Sequence, residues 1–418
     1  MTGAMMKNGY AASETVLAGH RLGQYPYDRA SDREYASRRA KIQSFMAEQQ
    51  LDCLLIAGGT GTWDRNWTNT RWAVNHVGCL LTNASYVVHP AQGDPTVLAF
   101  PLNALLPARR AREITEDVRA APEADVAAVE RIRELGLAAG RIGIVEADLN
   151  SSIPLRHWRT FERELPDATF SFVTREWWRQ VRFTRSAEEV GSIEHAARIG
   201  DAMSAAIPAH LRAGLPEREA FACLSAEMIR QGGEYPTQIL VASGPTAAAF
   251  DTCQRERPMN RILEQGDVLL TEVAPRVPDG AECQTGRTYF FGKPADRYRR
   301  MVDVMLETYD AVIDSLRPGK TDRDIAKAAE VISAAGYVRR GPLIHGAEGG
   351  ASGSLPMVAP PVAVAEVEPF EVVPDIVVCV EIHVAEPDHS GVFLSDTWVT
   401  TTGAPRCLNS FPREPLVL

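Results

Sequence analysis

The chain has 418 residues, of which 45% are hydrophobic and 23% charged, a composition typical of globular proteins. At roughly 150 residues per domain, this length predicts two or three domains. The formal net charge of −10 and the absence of a Lys/Arg-rich run exclude nucleic acid as an expected partner, because phosphate binding depends on clustered positive charge. No apolar run approaches the roughly 20 residues that span a bilayer, and the first residues lack a secretory signal, so we expect no membrane contact and a cytoplasmic location.

The first part of the chain predicts an α/β domain. Residues 1–30 are interpreted as an N-terminal extension, and residues 32–50 have the composition of a helix. The short apolar runs LDCLLIA, HVGCLLTN, PTVLAF and RIGIVEA then alternate with helical stretches and turn residues, which is typical of strands in an α/β sheet. The predicted first domain therefore covers residues 31–181.

A second domain is predicted over residues 182–418, where the apolar spacing changes to a helical period. Ser186, followed by Glu188 and Glu189, predicts a capped helix start. Helical stretches at 186–211 and 217–231 lead to the strand-like run QILVAS and a first hairpin, GDVLLTEV to GRTYFFG. Helical stretches at 295–316 and 321–335 lead to PLIHG and a second hairpin. This internal repeat of helix, helix and hairpin predicts an α+β domain with a cleft lined by both hairpins.

Several motifs occur in the order found in the pita-bread enzymes, which include creatinase, aminopeptidase P and prolidase. They are RFTRSAEEVGSIEHAARIGDA, LVASGPTAAAF, GDVLLTEV, GRTYFFG, SLRPGKTDRDIA, IHGAEGG, VVCVEIHV and SDTWVTTTG. The resemblance implies a C-terminal pita-bread domain, in which the duplicated unit surrounds a curved antiparallel sheet. It also implies a smaller α/β N-terminal domain like that of creatinase.

The same resemblance implies a metal site of two aspartates, one histidine and two glutamates. The matching positions hold Glu272, Gln284, His345, Glu381 and Ser395. Only two carboxylates remain of four, and a pair of hard cations needs anionic oxygen ligands. We therefore expect a degenerate site with no metal and no other cofactor; one ion held by Glu272, His345 and Glu381 stays open as the alternative.

Titratable side chains at these positions are the predicted catalytic groups. His345 ends an apolar run before a glycine-rich loop and can pass a proton near neutral pH. Glu381 and His383 are two residues apart, so on a strand they share one face. Glu272, on the equivalent strand of the first hairpin, is expected to face Glu381, and two close carboxylates raise each other's proton affinity. The alternatives are a histidine that binds a loop carbonyl and a structural ion pair.

Four further residues are predicted to bind substrate. The amide of Gln284 can donate and accept hydrogen bonds, and Asp251 stands where creatinase and many metal-dependent relatives have a histidine. The resemblance to creatinase-like dimers implies that Arg71 and Trp67 reach the partner's cleft. Ordinary roles, as a hairpin amide, a turn residue and interface packing, remain open for them.

These observations predict a homodimeric, metal-independent, creatinase-like hydrolase. It would cleave a C–N bond of a small polar molecule such as an amidine, a cyclic amidine or an amide. Glu381, His383 and His345 would activate water and protonate the leaving nitrogen, while Glu272 and Gln284 orient the substrate. Three alternatives stay open: a lyase or decarboxylase acting on a small carboxylic acid, a catalytically silent binding module, and a metallopeptidase of the aminopeptidase P/prolidase type.

Overall fold

The structure is a computed structural model, and the chain divides into two compact units, Met1–Arg182 and Phe183–Leu418. It describes residues 29–59, 68–78, 84–101, 114–146, 153–245, 260–347, 356–358, 369–386 and 391–418. Trp67 and Asp251 lie outside these residues, so their predicted roles stay predictions.

The first unit contains a six-stranded sheet in the order β4-β3-β2-β1-β5-β6. Its strands are β1 Cys53–Gly58, β2 Ser85–Pro90, β3 Thr96–Ala99, β4 Val118–Ala120, β5 Arg141–Val145 and β6 Thr169–Phe172. Its helices are α1 Asp32–Glu48, α2 Thr68–Val74, α3 Ala124–Glu134 and α4 Leu155–Glu164, followed by a short turn Thr174–Glu176 and a π-helical turn Trp177–Val181. Strand β1 is buried along its whole length because it pairs antiparallel with β2 and parallel with β5. The described strands and helices therefore form the mixed α/β sheet that the alternation of apolar runs indicates.

The second unit begins with the helix that the sequence predicts. Helix α5 (Ala187–His210) is capped by the Ser186 hydroxyl, which accepts from the Glu189 backbone N–H, while the Glu189 carboxylate accepts from the Ser186 N–H. This reciprocal capping box satisfies two backbone donors that the first turn would leave open. The predicted helix start at Ser186 is confirmed.

The rest of the second unit repeats helices and hairpins around one nine-stranded sheet. The helices are α6 Arg218–Arg230, α7 Asp296–Ser315, α8 Asp322–Ala326 and α9 Ala329–Ala334. The strands are β7 Glu234–Gly244, β8 Val268–Arg276, β9 Thr285–Phe290, β10 Val338–Arg339, β11 Ile344–Gly346, β12 Val377–Ala385, β13 Gly391–Val399, β14 Arg406–Cys407 and β15 Leu416–Val417. The main strand order is β10-β12-β13-β9-β8-β7, which sets the hairpin β8–β9 beside the hairpin β12–β13. This arrangement confirms the predicted α+β class.

One helix differs from its prediction. The single helix expected over 321–335 is divided into α8 and α9 by a turn at Lys327 and Ala328. A capping box between Thr321 and Asp324 starts α8, and the buried side chains of Ile325 and Ile332 join the core below α7. Within the described part of the chain, no helix has both the length and the apolar character that crossing a bilayer requires.

Candidate active site

A row of four residues crosses the centre of the second sheet. Glu272 on β8 is opposite Gly286 on β9, Gly286 is opposite Ser395 on β13, and Ser395 is opposite Glu381 on β12. Directly opposed residues in antiparallel strands point to the same face of the sheet. The hairpin register therefore brings the two predicted glutamates to the same face, one at each end of the row.

Glu381 is the centre of a buried polar cluster. Its Oε1 lies 2.7 Å from Nε2 of His383. Its Oε2 accepts a hydrogen bond from the Gln284 amide at 2.9 Å and lies 3.2 Å from Nε2 of His345. All four side chains are almost completely buried. The structure thus brings together three of the four predicted catalytic residues and one of the predicted substrate-binding residues.

The pKa of Glu381 is held well below its usual range. Burial favours the neutral acid, but hydrogen bonds and positive charge from His345 and His383 outweigh this effect. The carboxylate therefore stays ionised. The sequence led us to expect that Glu272 and Glu381 raise each other's proton affinity; at Glu381 the imidazoles dominate because they are in direct contact with it.

The tautomer of His345 is set by its backbone. Its Nδ1 is 3.0 Å from the Gly346 carbonyl oxygen, which can only accept, so Nδ1 carries a hydrogen. In the neutral ring Nε2 is then the proton-accepting atom, and it faces the Glu381 carboxylate.

Glu272 occupies the other end of the row and is also buried. One of its oxygens accepts a hydrogen bond from the Gln238 amide at 2.8 Å. Strands β9 and β13 lie between it and Glu381, so Glu272 belongs to the same face of the sheet but to a different hydrogen-bonded pair.

Sequence reasoning missed Phe393. Its ring stacks on His383 at a centroid distance of 4.1 Å and an interplanar angle of 28°. Phe393 is opposite His383 in the hairpin register, so the pairing of strand positions could have found this contact. The predicted substrate-binding residue Arg71 is buried on α2 in the first unit, and its role stays a prediction.

Comparison with known proteins identifies the family. The sequence model of "Metallopeptidase family M24" matches residues 191–402, just over half of the chain and both hairpins. The chain belongs to metallopeptidase family M24. The predicted pita-bread family is confirmed.

Individual relatives of this M24 chain are distant. A protein named "Probable dipeptidase PepE" from Mycobacterium tuberculosis is 22% identical over 241 residues, which are 57% of this chain and 62% of PepE, so less than two thirds of that relative is matched. "Creatinase" from a Bacillus species is 24% identical over 308 residues, 71% of this chain and 70% of that protein. The crystal structure of dipeptidase PepE from Mycobacterium ulcerans superimposes with a TM-score of 0.76 at 23% identity, covering 93% of this chain and 99% of that one. This likeness confirms the fold.

The predicted function is wrong in its leading form. Most of these relatives are named as peptidases, including several named "Xaa-Pro dipeptidase". Creatinase is one relative among them. The comparisons therefore overturn the metal-independent, creatinase-like hydrolase of a non-peptide bond and favour the peptidase alternative. The misleading signal was the loss of family ligand types, which says nothing about the bond that is cleaved.

The residues present do not fit a paired divalent metal centre. Both oxygens of Glu381 already lie within 3.2 Å of side-chain nitrogen atoms of His345, His383 and Gln284. The row adds a hydroxyl at Ser395 and no side chain at Gly286, whereas two hard cations need several anionic oxygens. Among the described residues, no cluster of three or more His, Cys, Asp or Glu side chains has the arrangement of a metal site.

Proposed function

We propose that this M24 protein hydrolyses the peptide bond of short peptides. Two observations support the proposal. The family match covers both hairpins, and within it the ionised Glu381 carboxylate is in contact with two imidazoles. The names of the relatives support a dipeptide substrate, including dipeptides with a C-terminal proline.

Peptide hydrolysis needs a base for the attacking water and an acid for the departing nitrogen. His345 fits both roles, because its Nδ1–H is committed to the Gly346 carbonyl and its Nε2 takes up and returns a proton. The Glu381 carboxylate, 3.2 Å from that Nε2, stabilises the imidazolium formed between the two steps. The Gln284 amide and His383 hold the carboxylate in this orientation.

The proton transfers are assigned to side chains because the donor set does not fit a paired metal centre. Activity with EDTA and with added Mn²⁺, together with the metal content of the protein, tests whether a single cation takes part. The predicted homodimer also stays a prediction, with the oligomeric state in solution as its measurement.

The test is a panel of Xaa-Pro and Xaa-Ala dipeptides incubated with the full-length protein, with free amino acids measured by mass spectrometry. Each substrate is run with EDTA and with added Mn²⁺, and the metal content of the same preparation is measured. Glu381→Gln keeps the size of the side chain and removes its charge, so kcat/KM should fall by about 10²- to 10⁴-fold. The matched control is Glu34→Gln, another buried carboxylate that pairs with Arg38 in the first unit, and it should stay within about threefold of wild type.

Two results would overturn the proposal. One is a panel on which wild type cleaves no dipeptide under either metal condition. The other is a Glu381→Gln variant as active as Glu34→Gln, which would remove the cluster from the reaction.

A further inference from the structure

The two hairpins that carry the site meet at an unusually sparse strand pairing. Strands β12 and β13 pair along all nine of their residues, from Val377↔Val399 to Ala385↔Gly391. Between β9 and β13 the ladder contains the single pair Gly286↔Ser395. The two halves of the site are therefore joined at the very row that holds Glu272 and Glu381.

Two threonine hydroxyls replace the missing ladder on either side of this pair. The Thr397 hydroxyl on β13 accepts from the Gln284 N–H at 2.9 Å and donates to the Gln284 carbonyl at 3.1 Å. The Thr288 hydroxyl on β9 accepts from the Phe393 N–H and donates to the Phe393 carbonyl, both at 2.9 Å. Each hydroxyl thus binds both backbone groups of one residue across from it, Phe393 on β13 or Gln284 immediately before β9, and the two sets are related by the internal repeat.

Arg287 links β9 and β13 at the same place from the other face of the sheet. Gly286 and Ser395 are the two residues of the single pair, and Nη1 of Arg287 donates to their carbonyls at 2.7 and 2.8 Å. Its Nη2 donates to Asp396 at 2.7 Å and to the Phe411 carbonyl at 2.9 Å, and its Nε donates to the Pro412 carbonyl at 2.7 Å. The planar fork of a guanidinium suits such multiple fixed acceptors, and a lysine does not reproduce it.

The residues held by this junction are parts of the active-site cluster. Gln284, bound by Thr397, donates to Glu381. Phe393, bound by Thr288, stacks on His383. A shift of β9 against β13 would therefore move the Gln284 amide relative to Glu381 and tilt the His383 ring.

We propose that Thr288, Thr397 and Arg287 form a side-chain junction that positions the two halves of the active site against each other. They are positioning residues, which act through Gln284 and Phe393 and through the Gly286–Ser395 pair. The role in catalysis rests on the proposed peptidase function, while the junction itself is tested without it. Catalytic geometry is sensitive to displacements near 1 Å, so loosening the junction should lower kcat more than it raises KM.

The variants are Thr397→Val and Thr288→Val, which keep the shape of the side chain and remove the hydroxyl. The control is Thr308→Val on α7, because the buried Thr308 hydroxyl binds the Val304 carbonyl of its own helix and has no part in the junction. Thr397→Ser restores the hydroxyl and should restore activity.

The first measurement is hydrogen–deuterium exchange, which needs no substrate. Thr397→Val should speed exchange at the Gln284 amide and Thr288→Val at the Phe393 amide, each by tenfold or more, while Thr308→Val changes neither. The second measurement is steady-state kinetics on a cleaved dipeptide: kcat should fall at least tenfold in both junction variants with KM within about threefold, and Thr397→Ser should recover to within threefold of wild type.

If the Gln284 and Phe393 amides of the Thr→Val junction variants exchange at the wild-type rate, the proposed junction is wrong, whatever the peptidase activity of the variants. Faster exchange with kcat equal to that of Thr308→Val would overturn its positioning role. A wild-type protein that cleaves no peptide would count against the proposed function alone, because the exchange result still decides the junction.

Discussion

Alanine in place of Gly286 is predicted to destabilise the protein because the ring of Phe393 covers this glycine. A Cβ built on Gly286 overlaps the Phe393 ring edge. That ring cannot retreat freely, since it also stacks on His383 at 4.1 Å and is packed in the core, where Phe393 is 2% exposed. Overpacking of this kind costs about 1–3 kcal/mol, so Gly286→Ala should lower the free energy of unfolding by that amount.

A double-mutant cycle separates this clash from a general intolerance of the site. Phe393→Ala alone should cost about 3–5 kcal/mol, through lost burial and a cavity. In the double variant the new methyl group enters the space that the ring leaves, so the two costs should not add and the coupling should exceed about 1 kcal/mol.

The assay is urea unfolding followed by tryptophan fluorescence, with Gly191→Ala as the control. Gly191 lies inside α5 with no atom within 4 Å of a built Cβ, so the same substitution there should stabilise the protein by up to about 1 kcal/mol. Additive effects of Gly286→Ala and Phe393→Ala within about 0.5 kcal/mol would refute the reasoning.

Two further predictions concern stability away from the site. Burial, with a smaller contribution from the nearby Arg39 charge, lowers the pKa of His89 to about 4. The neutral imidazole therefore contributes stability above its ordinary pKa of about 6.5, and this contribution is lost as the pH falls from there toward 4. Between pH 7.5 and 5.0, urea titrations should show wild type losing about 2 kcal/mol more than His89→Gln, and equal losses would contradict the shift. Removal of the capping hydroxyl in Ser186→Ala should cost about 1 kcal/mol, and an unchanged unfolding midpoint would exclude a stabilising cap.

Local sequence signals predicted several features of the site because strand geometry is periodic. The spacing of Glu381 and His383 implied a shared face, and the structure places both imidazole and carboxylate in one cluster. The serine–glutamate pair at the start of α5 predicted its cap for the same local reason.

Contacts between distant segments could not be read from spacing. The position of the Phe393 ring over Gly286 and the hydrogen bonds of the Thr288 and Thr397 hydroxyls depend on how the two hairpins meet, and residues far apart in sequence set that register. The sequence also left open which of the two carboxylates stays ionised, because this depends on whether the nearest group is an imidazole or the second carboxylate.

The reaction itself was the least predictable feature. Changed ligand types at Gln284 and Ser395 indicated a degenerate metal site, and the step from there to a non-peptide substrate had no support in the geometry. Fold alone hosts many reactions, so the substrate class had to come from the family and its relatives.

The central claim is that the cluster around Glu381 hydrolyses a peptide bond. Turnover of a dipeptide in ¹⁸O-labelled water, followed by mass spectrometry, tests it most directly. Wild type should place one solvent oxygen in the newly formed carboxyl group, and Glu381→Gln should place almost none in the same time. A dipeptide left intact by wild type, or labelled equally fast by both proteins, would contradict the account.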